Sequence, residues 1–297
     1  MAVYRLEGLG NPNLTKLTSL SRIDPRAELG FHVEIGPFCT IGPDVRIGQG
    51  TRLISHVCIM GDVTLGEFNT IGPFVTLGDA PQDLSYKGTP TRVEIGDYNV
   101  LRQCVTVHRG SEKEDGTTRI GSRNVLMAGA HVAHDCQLGD RITIAERTVL
   151  GGHVHVESDV EIANGVAVVH EVTVGGFSFV GSQSKVTQDV PRYMRIDGYP
   201  SRVRSLNTLG LRRNDFFCEE TIQTLREAHR LLYRAKKGLQ QTVEILRARG
   251  QLSAEVLHLI AFVEAQQAGK NGRARDRGAN FRKARVAVPC EATPDPH

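Results

Sequence analysis

The sequence predicts a mainly β protein, a parallel β-helix of six-residue repeats followed by a small C-terminal α-helical domain. Three observations predict it: an aliphatic residue at every sixth position over most of the first 190 residues, a glycine directly after about half of those positions, and a change to helical spacing after Pro191.

The six-residue frame runs from Ile23 to Leu77, where every slot is Ile or Leu. It resumes at Ile95, Leu101 and Val107, and again at Ile120, from which twelve consecutive slots to Val186 are aliphatic. With 40% of the chain apolar, twelve in-phase hits arise by chance with a probability of roughly 10⁻⁵ per frame. Neither a helical period nor a strand period of two explains a strict six. A coil that turns a corner every six residues does: each hexad gives one short parallel strand, and the in-phase aliphatics stack into a continuous core. Glycine after the slot, as in Ile35-Gly36 and Ile41-Gly42, is read as supplying the backbone freedom of a corner. Val45, Val57 and Val63, four residues past a slot, suit short strands.

Two stretches break the frame. Residues 78–94 put Asp83 and Thr89 where aliphatics belong, and residues 108–119 shift the phase by seven. A solenoid accommodates such insertions as side loops, and loops carry function disproportionately. From Glu219 a helical pattern places Ile222, Leu225, Ala228, His229 and Leu232 on one face, with Gly238 as a stop. Further helices are expected over Leu239–Arg249 and Ala254–Ala268, the latter capped by Ser253. The expected organisation is a β-helix over residues 1–190 with two excursion loops, a helical domain over 191–268, and a basic, disordered tail over 269–297.

The tail reading rests on charge. Lys270, Arg273, Arg275, Arg277, Arg282, Lys283 and Arg285 face only Asp276, a composition typical of a solvated segment. The whole chain of 297 residues carries a net charge of only +3, and no nucleic-acid partner is expected. The six cysteines form no C-x-x-C pair, which argues against a zinc cluster, and they are read as reduced core fillers. No apolar run has signal-peptide or membrane-span length. A cytoplasmic protein without an integral membrane segment is expected.

Chemistry is sought among the eleven histidines, of which His131, His134, His153, His155 and His170 cluster. If one coil is 18 residues, positions 134, 152 and 170 stack in a column about 5 Å apart, with His153 one step around the corner. Three readings of the cluster stand side by side. It is a ladder of structural histidines, or a zinc site drawn from His131, His134 and His153, or a general base. The zinc reading needs three imidazoles on one metal at about 2 Å. The third draws on the suitability of imidazole for proton transfer near neutrality. Asp135 could tune His134, although strand alternation would point the two side chains apart.

Several motifs carry a family resemblance. The run His131-Val-Ala-His134-Asp135-Cys136, then Leu150-Gly-Gly-His153-Val, resembles the active-site region of the UDP-N-acetylglucosamine acyltransferases, a hexapeptide-repeat family. So do Gln82-Asp-Leu-Ser-Tyr-Lys-Gly, Val107-His-Arg-Gly, Gln188-Asp-Val-Pro, Leu211-Arg-Arg-Asn-Asp-Phe and Leu231-Leu-Tyr-Arg, so that the resemblance spans about residues 22–265. It implies a left-handed, three-sided helix and a homotrimer with active sites between neighbouring prisms. The implied reaction moves an acyl group from acyl carrier protein to the 3-hydroxyl of UDP-N-acetylglucosamine, opening lipid A synthesis, with no metal and no cofactor beyond the carrier-bound thioester. It also implies roles: His134 as general base, Asp135 as its supporting acid, and the Gly152 amide as oxyanion donor. Gln82, Asp83, His131, His153 and His170 would contact substrate, Asn207 and Arg213 would lie around the nucleotide, and Ser182 would end the acyl groove.

Two positions depart from the family pattern. Ser85 stands where the loop usually has Lys, with Lys87 two residues on, and Val169-His170 replaces a His-Gln pair. Both touch the substrate pocket and leave the exact sugar open, a diaminated analogue included. The competing functions are another hexapeptide N-acyltransferase or acetyltransferase on a related nucleotide sugar, and a trimeric paralogue without catalysis. The Gln-Asp-Leu loop and the helical region argue against the first, and His134, Asp135 and Gly152 against the second.

Overall fold

A computed structural model describes residues 16–276 apart from 236, 249 and 251. The hexads fold as a left-handed parallel β-helix, and each short strand pairs in parallel with the strand three places later, which builds three faces. In the unbroken stretch the register step is one coil of 18 residues, as in Thr143↔Glu161. The step lengthens to 30 residues at Ile71↔Leu101 and to 25 at Leu101↔Leu126. Those longer steps are the two excursions, and on either side of them the in-phase aliphatics keep their stacking.

Every in-phase aliphatic slot is buried except Ile23 and Leu29 in the first coil, which are half-buried and pack on the core. Glycine has a different part from the one expected. The corners are turned largely by non-glycine residues in the left-handed region, such as Phe38 at φ 61° and His56 at φ 53°. The glycine after the aliphatic slot instead permits close stacking of coils. A Cβ built on Gly36 would lie 1.7 Å from the Ile54 carbonyl oxygen of the next coil, so any side chain there would force the coils apart.

The prism sheet extends past Pro191. Met194–Gly198 adds in parallel to Phe179–Val180, and Ser201–Leu206 folds back on it antiparallel. Only then do helices begin: α1 (Thr208–Arg212), α2 (Glu219–His229), α3 (Leu239–Arg247) and α4 (Ala254–Ala268). α1 has Asn207 as its cap, with the side chain accepting from the Gly210 amide. Ser253 caps α4, as expected. The face of α2 is Ile222, Leu225, Ala228 and His229, but the next buried residue is Leu231. A π turn over Arg230–Arg234 widens the helix there and rotates Leu232 to a half-buried position. The hairpin and helices share a second core, with Tyr193, Met194, Leu211, Leu225 and Leu259 inside it.

Two expectations need correcting. Residues 269–276 are not a disordered tail; they fold back on the last coils, where the Asp189 amide donates to the Gly272 carbonyl and the Ala274 amide to the Asp189 carboxylate. Residues 277–297 lie outside the described residues. The cysteines are not all core fillers. Among the five described, all free, Cys39 and Cys136 are buried, while Cys104 and Cys218 are exposed. Burial pushes the Cys136 thiol up to about 12, which keeps it neutral.

Candidate active site

The coil geometry brings His134 and Gly152 together as the phase required. The His153 amide donates to the His134 carbonyl at 3.0 Å and the Glu171 amide to the Gly152 carbonyl at 3.1 Å, so the corners of successive coils stack. An ideal Cβ on Gly152 would lie 2.6–2.7 Å from Cε1 and Nε2 of His134. The imidazole therefore occupies the space that the absent side chain leaves. Among the described residues no acceptor takes the Gly152 amide hydrogen.

Strand alternation does not separate His134 from Asp135, because the pair sits at a corner. Asp135 has φ 60°, and this left-handed turn sends its carboxylate back to His134 Nδ1 at 2.8 Å. A carboxylate only accepts, so Nδ1 carries the proton and Nε2 presents its lone pair. Asp135 itself is fully buried. Its other bonds come from the Ser111 amide at 2.8 Å and the Ser111 hydroxyl at 2.6 Å, while its own amide donates to Thr118 Oγ1. Burial alone would raise the Asp135 carboxyl, but the bonds from His134 and Ser111 outweigh it and hold the carboxyl below the ordinary range.

His153 completes the corner. Its ring stands edge-on to His134 with centroids 5.1 Å apart. Its Nδ1 meets Glu114 Oε1 at 3.0 Å, and its Nε2 is 3.7 Å from Asp135 Oδ2. The His153 bond is the main cause that holds the Glu114 carboxyl below its usual range. Atoms of His134, Asp135 and His153 thus come within 4.8 Å of one another, and this trio could hold a cation. It is not the trio considered from sequence, because His131 turns its Nδ1 to Thr106 Oγ1 at 2.7 Å and packs on His108. A metal would also compete for Asp135 oxygens that already take bonds from His134 and Ser111. The donor set fits a hydrogen-bonded dyad better than a metal cage.

These groups open on a cleft of about 1100 Å³ whose lining includes Gln82, Asp83, His134, Gly152, His153 and His170. The first excursion brings Gln82, Asp83 and the fully exposed Leu84. Asp83 meets Lys113 Nζ at 2.5 Å and accepts from the Ser85 amide and hydroxyl at 2.9 and 2.8 Å. Burial opposes the charge, yet Lys113 and Ser85 together hold the carboxyl down at about 2. The cation beside Asp83 is therefore supplied by the second excursion, and Lys87 instead uses its amide to bind Glu112. His170 is exposed on the cleft, whereas Val169 packs on the core.

Four expected residues lie elsewhere: His131, turned to Thr106 and His108, is not on the cleft lining, nor are the following three. Ser182 is on another corner, bonded to Asn164 Oδ1 at 2.8 Å. Asn207 caps α1 and donates to the Phe177 carbonyl, and Arg213 ends the same helix. A single chain does not bring them to the cleft. Sequence reasoning missed Ser111, Lys113, Glu114 and the place of Arg275 on the cleft, and it put His155 in the histidine cluster without a role. Lys113, Glu114 and Arg275 line the cleft from the second excursion or the segment after α4, and the buried Ser111 stands behind it on Asp135; hexad phase has no meaning in these segments. His155 was in phase, one residue before a slot, and burial followed by the Arg275 charge pushes it down to about 4.

Comparison with known proteins agrees with the fold. Residues 189–272 match the family model described as UDP N-acetylglucosamine O-acyltransferase, domain 2, and residues 117–152 match that of the bacterial transferase hexapeptide repeat. The acyl-[acyl-carrier-protein]–UDP-N-acetylglucosamine O-acyltransferase of Thermodesulfovibrio yellowstonii is 42% identical over 247 residues, covering 83% of this chain and 95% of the relative. That of Syntrophobacter fumaroxidans is also 42% identical, over 83% of this chain and 96% of its own. Among solved structures, the UDP-N-acetylglucosamine acyltransferase of Bacteroides fragilis 9343 superposes with a TM-score of 0.80 at 31% identity, over 84% of this chain and 96% of that one.

Proposed function

Because the chain belongs to the acyl-[acyl-carrier-protein]–UDP-N-acetylglucosamine O-acyltransferase family, we infer that it transfers an acyl group from acyl carrier protein to the 3-hydroxyl of UDP-N-acetylglucosamine, the first step of lipid A synthesis. The observation that carries the reading is the His134–Asp135 dyad, with its imidazole packed against Gly152 in one cleft.

The chemistry then follows from the residues. His134 Nε2 takes the proton of the sugar 3-hydroxyl as its oxygen attacks the thioester carbonyl. Asp135 stabilises the imidazolium that forms and holds the ring in the productive tautomer. The Gly152 amide donates to the oxygen that gains negative charge. Collapse of the tetrahedral intermediate breaks the carbon–sulfur bond, and the imidazolium returns its proton to the departing thiolate of the carrier. The products are the 3-O-acyl sugar nucleotide and free carrier. Asp83 and Gln82 suit hydrogen bonds to the sugar and His153 a further substrate contact, whereas the contact that the resemblance implies for His131 lies outside this lining.

The remaining assignments belong to the assembly. We propose a cytoplasmic homotrimer in which Ser182, Asn207 and Arg213 of a neighbour complete a cleft that one chain leaves unfinished. No described helix is long and apolar enough to cross a membrane. The two buried cores support a division into prism and helical domains, with the sheet carried past residue 190 to Leu206 and Ile196 still in the prism core; two resolved calorimetric transitions would support the division and one cooperative transition would refute it.

The test is direct. Purified protein is incubated with a panel of acyl carrier protein thioesters and UDP-sugars, and products are read by mass. A 3-O-acylated UDP-N-acetylglucosamine is expected. Transfer only to an amino analogue would redirect the reading to N-acylation, which the exposed His170 and the Ser85 departure would then explain, and no transfer at all would refute it.

A further inference from the structure

We propose that residues 270–276 form a strap that carries Arg275 into the cleft as a positioning residue, one that sets the orientation of His153 by clamping its backbone and its Glu114 partner. The proposal deepens the transfer reading and rests on it for its kinetic arm.

The strap is anchored at several points. Asp189, in the Gln188-Asp-Val-Pro motif, is buried and its carboxylate joins the last coils to the strap: one oxygen accepts from the Thr173 amide and the other from the Ala274 amide, each at 2.7 Å. The Gln266 side chain donates to the Asp189 carbonyl at 2.7 Å, and Arg273 reaches the Thr187 carbonyl at 3.3 Å. Arg273 also pairs with Asp276 at 2.5 Å, which closes the strap on itself. A segment held by backbone, carboxylate and guanidinium contacts has a defined direction, and that direction points Arg275 at His153.

Arg275 lines the cleft with its side chain only 26% exposed. Its guanidinium donates to the carbonyl oxygens of His153 and Val172 and to Thr173 Oγ1, the last at 3.2 Å. Nη1 lies 3.9 Å from the same Glu114 oxygen that holds His153 Nδ1. A planar fork of five donors suits a clamp of this kind, where lysine would offer only a point charge. Desolvation of a cation is costly, and burial lowers the Arg275 pKa; four neighbouring acceptors offset that cost. The consequence is a chain of contacts from Arg275 through Glu114, His153 and Asp135 to His134. Arg275 stands three positions beyond the matched family region, which ends at residue 272. The clamp thus comes from the segment after α4.

The experiment uses the full-length protein with ¹⁵N-labelled histidine and the variants Arg275→Ala and Arg275→Gln. The His155 resonance reports whether the strap is docked, because removing the Arg275 charge should move its titration upward. The His153 ring resonances report orientation and should shift in both variants, while His108 should not. In the transfer assay KM for UDP-N-acetylglucosamine should rise about tenfold or more, with a smaller change in kcat, as expected for loss of substrate positioning. Millimolar guanidinium should recover a large part of the loss in Arg275→Ala. Unchanged His153 or His155 resonances would overturn the proposal, and so would wild-type KM or a loss of activity without guanidinium rescue. If Arg275→Ala does not fold, Arg275→Gln carries the same readouts. Should the wild-type protein transfer no acyl group, the resonances alone decide the clamp, separately from the transfer reading.

Discussion

Gly152→Ala is the sharpest test of the catalytic corner, because its effect can be worked from contact distances. The new methyl carbon would lie 2.6 Å from His134 Cε1 and 2.7 Å from Nε2. Ordinary contact begins at 3.4 Å, so the imidazole or the corner must yield by about 0.8 Å, as much as the misplacement that costs roughly 10²-fold when a reacting group shifts by 1 Å. The backbone is hydrogen-bonded on both sides, at the His134 and Gly152 carbonyls, so the ring is the softer element. Its retreat would stretch the 2.8 Å bond to Asp135 and turn Nε2 from the oxyanion position. We expect kcat to fall about 10²-fold, equivalent to about 2.7 kcal/mol of transition-state stabilisation, with oligomeric state and melting temperature nearly unchanged. Steady-state kinetics with light scattering and thermal melts measure this. Because both changes act through one imidazole, Gly152→Ala should add little to His134→Ala. A Gly152→Ala protein with kcat within threefold of wild type would refute the geometry.

Further outcomes follow from the same site. His134→Ala should lose about 10²–10⁴-fold in kcat while still binding UDP-sugar, whereas His153→Ala should act more on KM; a folded His134→Ala protein with wild-type turnover would exclude it as the base. Ser182→Gly should shift preference toward longer acyl thioesters, since Gly leaves more room at the end of the groove, and an unchanged length profile removes Ser182 from that role. Arg230 and Arg234 are exposed on the π turn and Lys237 follows, with Lys236 outside the described residues. Apparent affinity for acidic acyl carrier protein should fall with salt and with charge removal at these four positions, and salt-independent affinity would count against docking there. Asp83 adds a pH dependence. Its folded pKa, about 2, is below the ordinary 3.8, so its contribution is present above 3.8 and fades as pH falls through 2. At most about 2 kcal/mol of loop stability is involved. An Asp83 titration observed by NMR at the ordinary value would mean that the Lys113 contact is absent in solution.

Much of this was legible in sequence because hexad phase is an axial coordinate. The slot residues name the core, and eighteen-residue spacing stacks His134 on Gly152 before any coordinates are known. Phase failed in three physical situations. It does not give φ, so the left-handed corner at Asp135 was read as a strand and the dyad as diverging. It does not give interatomic room, so glycines that admit a neighbouring coil were read as corner formers. It also stops at an insertion, so Ser111, Lys113 and Glu114 were invisible although their loop was marked as functional by breaking the frame. Helical spacing fails separately after His229, where the π turn buries Leu231 and leaves Leu232 half-buried against the second core.

The division between phased and unphased residues is also a division of labour. The proposed base and oxyanion donor, His134 and Gly152, belong to the prism, where a change of position would have to move a whole coil. The groups around them come from segments that the prism tolerates without disturbance: Asp83 from the first excursion, Ser111, Lys113 and Glu114 from the second, and Arg275 from the strap. Lys113 illustrates what this allows. Ser85, the position where the resemblance implies a lysine, bonds Asp83 through its hydroxyl, and the ammonium beside Asp83 comes from the second loop. A charge needed at one point in space can therefore be supplied from another segment while the catalytic corner stays fixed. Pocket departures such as Ser85 and His170 should accordingly alter KM and the choice of sugar, whereas substitutions in the stacked corner should alter kcat. Restoring Ser85→Lys tests that separation: it should change the ratio of kcat/KM between UDP-N-acetylglucosamine and its amino analogue, and a change confined to kcat would contradict it.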